Sequence, residues 1–145
     1  MFQLTLVRQL MYPVTWLYRA WTDPEMMQQW LLPAGADLIE VTANAVQDGE
    51  YHLRFALAGK PTQIHGHYRK LHPPDHLILS WHWPESPQTT LIDLRLNAAS
   101  HLTTEMMVRH TAFADAESRN QQRAQWEHCL RQLQQMPMIT PENTD

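Results

Sequence analysis

A single cysteine, Cys129, stands among the 145 residues of this chain, and only four are glycine. One thiol cannot close an internal disulfide; it suits a reducing compartment, so a cytoplasmic location is the expectation. Basic residues are also few, with eleven Lys and Arg against fifteen Asp and Glu and a net charge of −4 with His neutral. That balance gives phosphate backbones and anionic lipids no general attraction, and the basic residues are scattered, so neither nucleic acid nor membrane is an expected partner. No apolar run approaches the roughly 18 residues of a bilayer-crossing helix. Arg8 interrupts the first apolar stretch, which reads as a strand rather than a leader. A glycine-rich phosphate loop is missing too.

What the chain does have is large apolar side chains, with six tryptophans and eight methionines. Near the start, Val14, Leu17, Tyr18 and Trp21 fall at i, i+3, i+4 and i+7, the stripe of a short helix entered through Pro13. A second short helix follows at once, capped either by Asp23 with Pro24 in its first turn or by a Thr22/Glu25 capping box. Before this pair, Phe2 to Leu10 alternates as a strand. After it, strands are expected over Leu38 to Val46, Tyr51 to Leu57, Ile64 to Arg69, Leu77 to Trp83, Thr89 to Asn97 and His101 to Thr111. The turns are placed at Gln47-Asp48-Gly49-Glu50, at Gly59-Lys60-Pro61 and at Pro73-Pro74. From Asp115 to Met136 the period becomes helical, with Trp126, Leu130 and Leu133 on one stripe and Pro137 as the stop. Strands in a meander have one face to bury, and this last helix is the large apolar object left to meet it. The expected fold is α+β: a curved antiparallel sheet of six to seven strands around a long C-terminal helix, with two short helices after the first strand. Residues 1–137 would form one domain and 138–145 a flexible tail.

The opening segment resembles that of the START-like, helix-grip (SRPBCC) superfamily, and in particular the family named for the activator of a heat-shock chaperone ATPase. The resemblance continues through Gly49-Glu50-Tyr51, Gly66-His67-Tyr68, Pro73-Pro74-Asp75-His76-Leu77 with Trp81, and Trp126-x3-Leu130-x2-Leu133. Gln125 stands where the family usually has glycine before the helix tryptophan. The resemblance implies the helix-grip fold. It also implies one of three roles: a pocket binder, a chaperone regulator active in stress responses, or a cyclase- or dehydratase-like enzyme.

A small apolar or aromatic ligand held between sheet and helix is the leading expectation. Its cavity would be lined by Trp30, Phe55, Tyr68, Trp81, Leu94, Trp126 and Leu130; the competing reading is that these residues simply fill a solid core. A homodimer and a chaperone partner are further possibilities. No catalytic constellation is evident, and a non-enzymatic role is expected; for an enzyme, the Tyr68 phenol is the best single group. Cys129 reads as a buried, inert thiol. Asp93 and Arg95 oppose Ile92 and Leu94 in parity and are expected to face solvent.

Nine histidines raise the question of a metal. A tight turn at Gly59-Lys60-Pro61 would set His52 opposite His67 and Arg54 opposite His65, with His65 facing His82 on the next strand. These four imidazoles share the outward parity and are expected to be exposed, with pKa values below about 6.5 from mutual repulsion. No carboxylate or cysteine joins them at that parity, so a solvated histidine-rich face is expected, without metal or cofactor.

Overall fold

The computed structural model describes residues 2–138; of the tail expected from residue 138, all but that first residue lies outside the described residues. Nine residues, Phe2–Leu10, form β1, and two short helices follow, α1 (Val14–Ala20) and α2 (Pro24–Trp30). Pro13 is the residue before α1 rather than its first turn, and the second cap is Asp23, whose carboxylate accepts the Glu25 N–H at 2.9 Å. Six strands come next: β2 (Asp37–Ala43), β3 (Glu50–Leu57), β4 (Lys60–His72), β5 (His76–Trp81), β6 (Thr90–Ala98) and β7 (Thr104–Phe113). The long helix α3 (Ala116–Gln134) completes the order. All seven strands form one antiparallel sheet in the order β1-β7-β6-β5-β4-β3-β2, so β1 and β2 are its edges.

Sheet and helix meet along the expected stripe. Trp126 and Leu133 are completely buried and Leu130 nearly so. The Trp126 ring lies 5.4 Å from Trp81 on β5 and 5.7 Å from Trp21 at the end of α1. Arg8 on β1 pairs with Glu127 at 2.6 Å, and the Tyr12 hydroxyl lies 2.8 Å from the Leu133 carbonyl, so the C-terminal half of α3 is tied to the first strand and its exit. This is the helix-grip arrangement that the alternating strands and single long amphipathic helix require.

Several boundaries differ from the expectation, each for a local reason. The β3–β4 turn is Ala58-Gly59, closed by the Leu57↔Lys60 pair, and both of its residues have positive φ, 50° and 79°. The pairing expected around Gly59-Lys60-Pro61, His52 with His67, has its centre one residue later. The register therefore moves by two: His52 opposes His65, Arg54 opposes Gln63 and Glu50 opposes His67. In the β2–β3 loop Asp48 takes the left-handed conformation (φ 62°), and β2 ends at Ala43, short of Val46. Gly49 is needed there for space, since a Cβ would stand 1.9 Å from the Asn44 carbonyl oxygen. Strand β5 stops at Trp81, so Trp83 lies on the following loop. Strand β7 begins at Thr104 rather than His101, after a turn in which Ser100 Oγ accepts the Leu102 and Thr103 N–H groups.

Candidate functional site

An open groove runs between the first half of α3 and the end of the sheet where β3–β4 and β5–β6 turn, with a volume of about 590 Å³. Its apolar surface comes from Leu57, Trp81, Trp83 and Phe113, and its polar wall from Ser118, Gln121, Gln122 and Gln125 of α3. Lys60 and Glu85 contribute one charge of each sign. The helix wall is placed by Asp115, which caps α3 by accepting the Ser118 N–H at 2.7 Å; those hydrogen bonds hold its carboxyl below the usual carboxylate range. Phe113 reaches the groove because Ala112 has φ 74°. Thr104, Met106, Val108 and His110 are buried at every second position, and the left-handed residue resets that parity.

Gln122 organises the groove. Its side-chain oxygen accepts both indole N–H groups, Trp81 Nε1 and Trp83 Nε1, each at 3.3 Å. With the oxygen so occupied, Nε2 is left as a donor. Thr62, at the other side, has a buried hydroxyl with no hydrogen-bond partner among the described residues.

Beneath the floor lies a second network. Trp126 Nε1 donates to His110 Nδ1 at 3.0 Å, and His110 Nε2 lies 2.6 Å from Thr90 Oγ1, which donates to the Trp81 carbonyl at 2.8 Å. Nδ1 accepts, so Nε2 carries the proton and the ring is neutral. Burial alone pushes the His110 pKa down to about 3.

The model of the family described as "Activator of Hsp90 ATPase homolog 1-like protein" matches residues 11–136. The chain belongs to this family. No curated protein matches it significantly. Among solved structures, it is similar to protein CV1439 from Chromobacterium violaceum, with 24% identity and a TM-score of 0.81 over 90% of this chain and 93% of that one. The AHSA1 protein SPO3351 from Silicibacter pomeroyi aligns with 16% identity and a TM-score of 0.79 over 91% and 94% of the two chains. CalU16 from Micromonospora echinospora aligns with 24% identity and a TM-score of 0.68 over 90% and 73%. At these identities the likeness shows the shared fold.

In this member of the Hsp90-activator-like family the seven residues expected to line a cavity are all buried, and they separate into three groups. Trp81 lies on the groove. Phe55 borders an adjoining outer depression and meets Trp83 edge-on at 5.9 Å. Trp30, Tyr68, Leu94, Trp126 and Leu130 are part of the core. Trp30 Nε1 donates to the Ala20 carbonyl at 2.9 Å, and the Tyr68 hydroxyl donates to the Trp21 carbonyl at 3.0 Å. Burial raises the Tyr68 pKa, so its phenol stays protonated and engaged with backbone. Apolar spacing does not mark Gln122, Trp83, Thr90 or His110 as site residues; the signal for Gln122 is its place one helical turn before Trp126.

His52, His65 and His82 gather on the outer face as one column across β3, β4 and the start of the β5–β6 loop. The His52 and His65 rings are 5.9 Å apart and those of His65 and His82 5.1 Å. The expected pairing of His65 with His82 is present as an isolated bridge, whereas His67 faces Glu50. Of the four, only His67 is exposed; the other three are half-buried, which corrects the expectation of full exposure. Burial first, then the neighbouring His82, His52 and His67, lowers the His65 pKa, with Glu50 opposing them. Cys129 is buried beside the Leu32 carbonyl, and burial pushes its thiol up to about 12. Asp93 meets His76 at 2.9 Å and Arg95 at 3.4 Å, a side-chain cluster between β5 and β6. No helix among the described residues is long and apolar enough to cross a membrane.

Proposed function

We propose that this protein binds a small molecule with a flat apolar or aromatic body in the groove beside α3. One observation carries the reading: Trp81, Trp83 and Phe113 supply apolar surface in a space of about 590 Å³, against an amide wall anchored by Gln122. Ligand pockets combine an apolar lining with a few placed polar groups, and that volume falls within their usual range. The available donor at Gln122 Nε2 favours a ligand with an oxygen acceptor at one edge. The site so proposed keeps Trp81 from the expected cavity and opens to solvent at one end of the sheet. The deeper residues serve as its support. Membership in the family supports a binding or regulatory domain; a chaperone-regulator role rests on the family description alone.

Protein purified from its own host, analysed by native mass spectrometry, tests this. A co-purified small molecule is expected, and on its re-addition amide resonances of residues 81–90 and 118–125 should shift. A ligand shifting instead only residues on the outer sheet face, or no bound species together with no response to a panel of aromatic acids and ketones, overturns the proposal.

A further inference from the structure

On the sheet face turned away from α3, the histidine column has a geometry that the proposed groove does not use. We propose that His65 and His82 bind one late first-row divalent cation, of the zinc, nickel or copper class, on this outer face. His65 on β4 and His82, just past the end of β5, are directly opposed and lock each other through both backbone bonds, His65 N to His82 O at 3.1 Å and His82 N to His65 O at 2.9 Å. Their rings are 5.1 Å apart and inclined at 58°. Two imidazoles sharing a tetrahedral ion through bonds of about 2.1 Å have their ring centres roughly 5 Å apart, so little movement is needed.

The surroundings orient the ligands. Thr89 Oγ1 lies 3.3 Å from His82 Nδ1, which leaves His82 Nε2 for a metal. His52 is held in the same way by Gln63 Oε1, 3.3 Å from its Nδ1. Its ring continues the column on the far side of His65, with the Glu50 carboxylate 3.6 Å from His52 Nε2. That carboxylate places negative charge beside the column and favours a cation there. Half-burial of His52, His65 and His82 restricts their rotation, so less freedom is lost on binding than at an open surface. Among the described residues no three His, Cys, Asp or Glu side chains converge on one point. The site therefore supplies two imidazoles and leaves water in the remaining positions. Imidazole donors select zinc, nickel and copper over magnesium and calcium, and copper should bind most tightly.

Isothermal titration of the untagged full chain with zinc chloride and with nickel chloride at pH 7.5 tests the assignment. One ion per chain is expected, with H65Q and H82Q each weakening binding at least tenfold and H52Q weakening it about twofold to threefold. H101Q, on the β6–β7 turn, should bind as wild type. Thermal melts in EDTA establish that each variant folds, and the histidine ring NMR signals of His65 and His82 should be the ones most shifted by zinc. Binding unchanged in both H65Q and H82Q, no heat of binding in the wild type, or zinc shifts confined to other histidines would each overturn the proposal.

Discussion

Trp126 on α3 and His110 on β7 are joined by a 3.0 Å hydrogen bond from the indole N–H to the imidazole Nδ1, inside a part of the core where both residues are wholly buried. That bond fixes the histidine as the neutral Nε2–H form and makes the helix an electrostatic partner of the sheet. The groups around His110 are Thr90 on β6, Trp81 on β5, Trp126 on α3 and Phe113 on β7, none of which carries charge. Protonation therefore has nothing to compensate it.

A pH dependence follows with a defined sign. The folded pKa of His110 is depressed to about 3, against about 6.5 in an unfolded chain, so below about 6.5 the unfolded state binds the extra proton. Stability should decline as pH falls from about 6.5 toward 3 and stop responding to this group below that. The slope from one such group approaches about 1.4 kcal/mol per pH unit. Denaturant unfolding at pH 7.5, 5.5 and 4.5, in wild type and His110→Gln, measures it. The variant should start less stable and lose less between pH 5.5 and 4.5; equal losses in the two proteins would remove His110 as the cause.

Trp126→Ala removes a fully enclosed indole packed on Trp21 and Trp81, and it strands His110 Nδ1. A loss of roughly 3–5 kcal/mol is expected from the cavity. Trp126→Phe, which keeps much of the packing, should cost less. A loss below about 1 kcal/mol for the alanine variant, in the range of surface substitutions, would mean that α3 does not depend on this contact.

At Gly66, strand β4 runs tight against Ser80 of β5. A Cβ there would meet the Ser80 carbonyl oxygen at 2.0 Å and Ser80 Oγ at 2.8 Å. Those same atoms accept the Tyr51 hydroxyl and, at 2.8 Å, the His67 N–H. Gly66→Ala must part the strands and disturb both bonds, so at least the roughly 1–3 kcal/mol typical of overpacking is expected. Gly59→Ala, at the exposed β3–β4 turn with open space around it, meets only its positive φ and serves as the comparison. Chemical denaturation midpoints should fall further for Gly66→Ala.

The Cys129 thiol supplies a kinetic readout. With a pKa pushed up to about 12, its thiolate fraction at neutral pH is on the order of 10⁻⁵. A thiol reagent such as DTNB should leave the native protein unmodified for hours and react rapidly once denaturant unfolds it. Fast native reaction would show that the C-terminal half of α3 opens far more readily than its buried face implies.

Much of the architecture was legible because each element carries its own period. Tyr51, Leu53 and Phe55 alternate, and Trp126, Leu130 and Leu133 recur at helical spacing, so burial and element type followed directly. Register was harder to read. The pairings around the Ala58-Gly59 turn and the Gly59-Lys60-Pro61 turn have centres a single residue apart, and alternation has a period of two, so both keep every side chain on its proper face. Periodicity therefore reported that His52 and His65 share the outer surface without reporting that they are opposed. The groove was hidden for a different reason. Burial marks Tyr68 and Trp81 alike, and only their partners separate them: Tyr68 donates to the Trp21 carbonyl in the core, while Trp81 donates to Gln122 at the groove. Gln122 itself lies on the apolar stripe of α3, where a polar residue breaks the hydrophobic pattern and so escapes a search for apolar spacing.

Gln122 tests the groove and its support together. Gln122→Leu keeps a similar volume but removes the oxygen that accepts the Trp81 and Trp83 indoles. Trp83 is only partly buried and can turn to water, whereas Trp81 is 3% exposed and cannot, so one desolvated N–H is left unpaired. The expected cost is about 1–3 kcal/mol. Gln122→Glu retains an acceptor for both indoles while losing the amide donor. Because Gln122 is only 5% exposed, desolvation of the carboxylate should offset part of the stability so recovered. For binding, the two variants should behave alike, because each lacks the Nε2 donor: affinity for an acceptor-bearing aromatic ligand should fall in both, by about tenfold for one lost hydrogen bond of roughly 1.4 kcal/mol. Trp83 fluorescence, compared with a Trp83→Phe background, reads the binding, and thermal melts read the stability. If Gln122→Glu binds as wild type does, the amide is not a ligand contact; if Gln122→Leu is as stable as wild type, the two indoles do not depend on this oxygen.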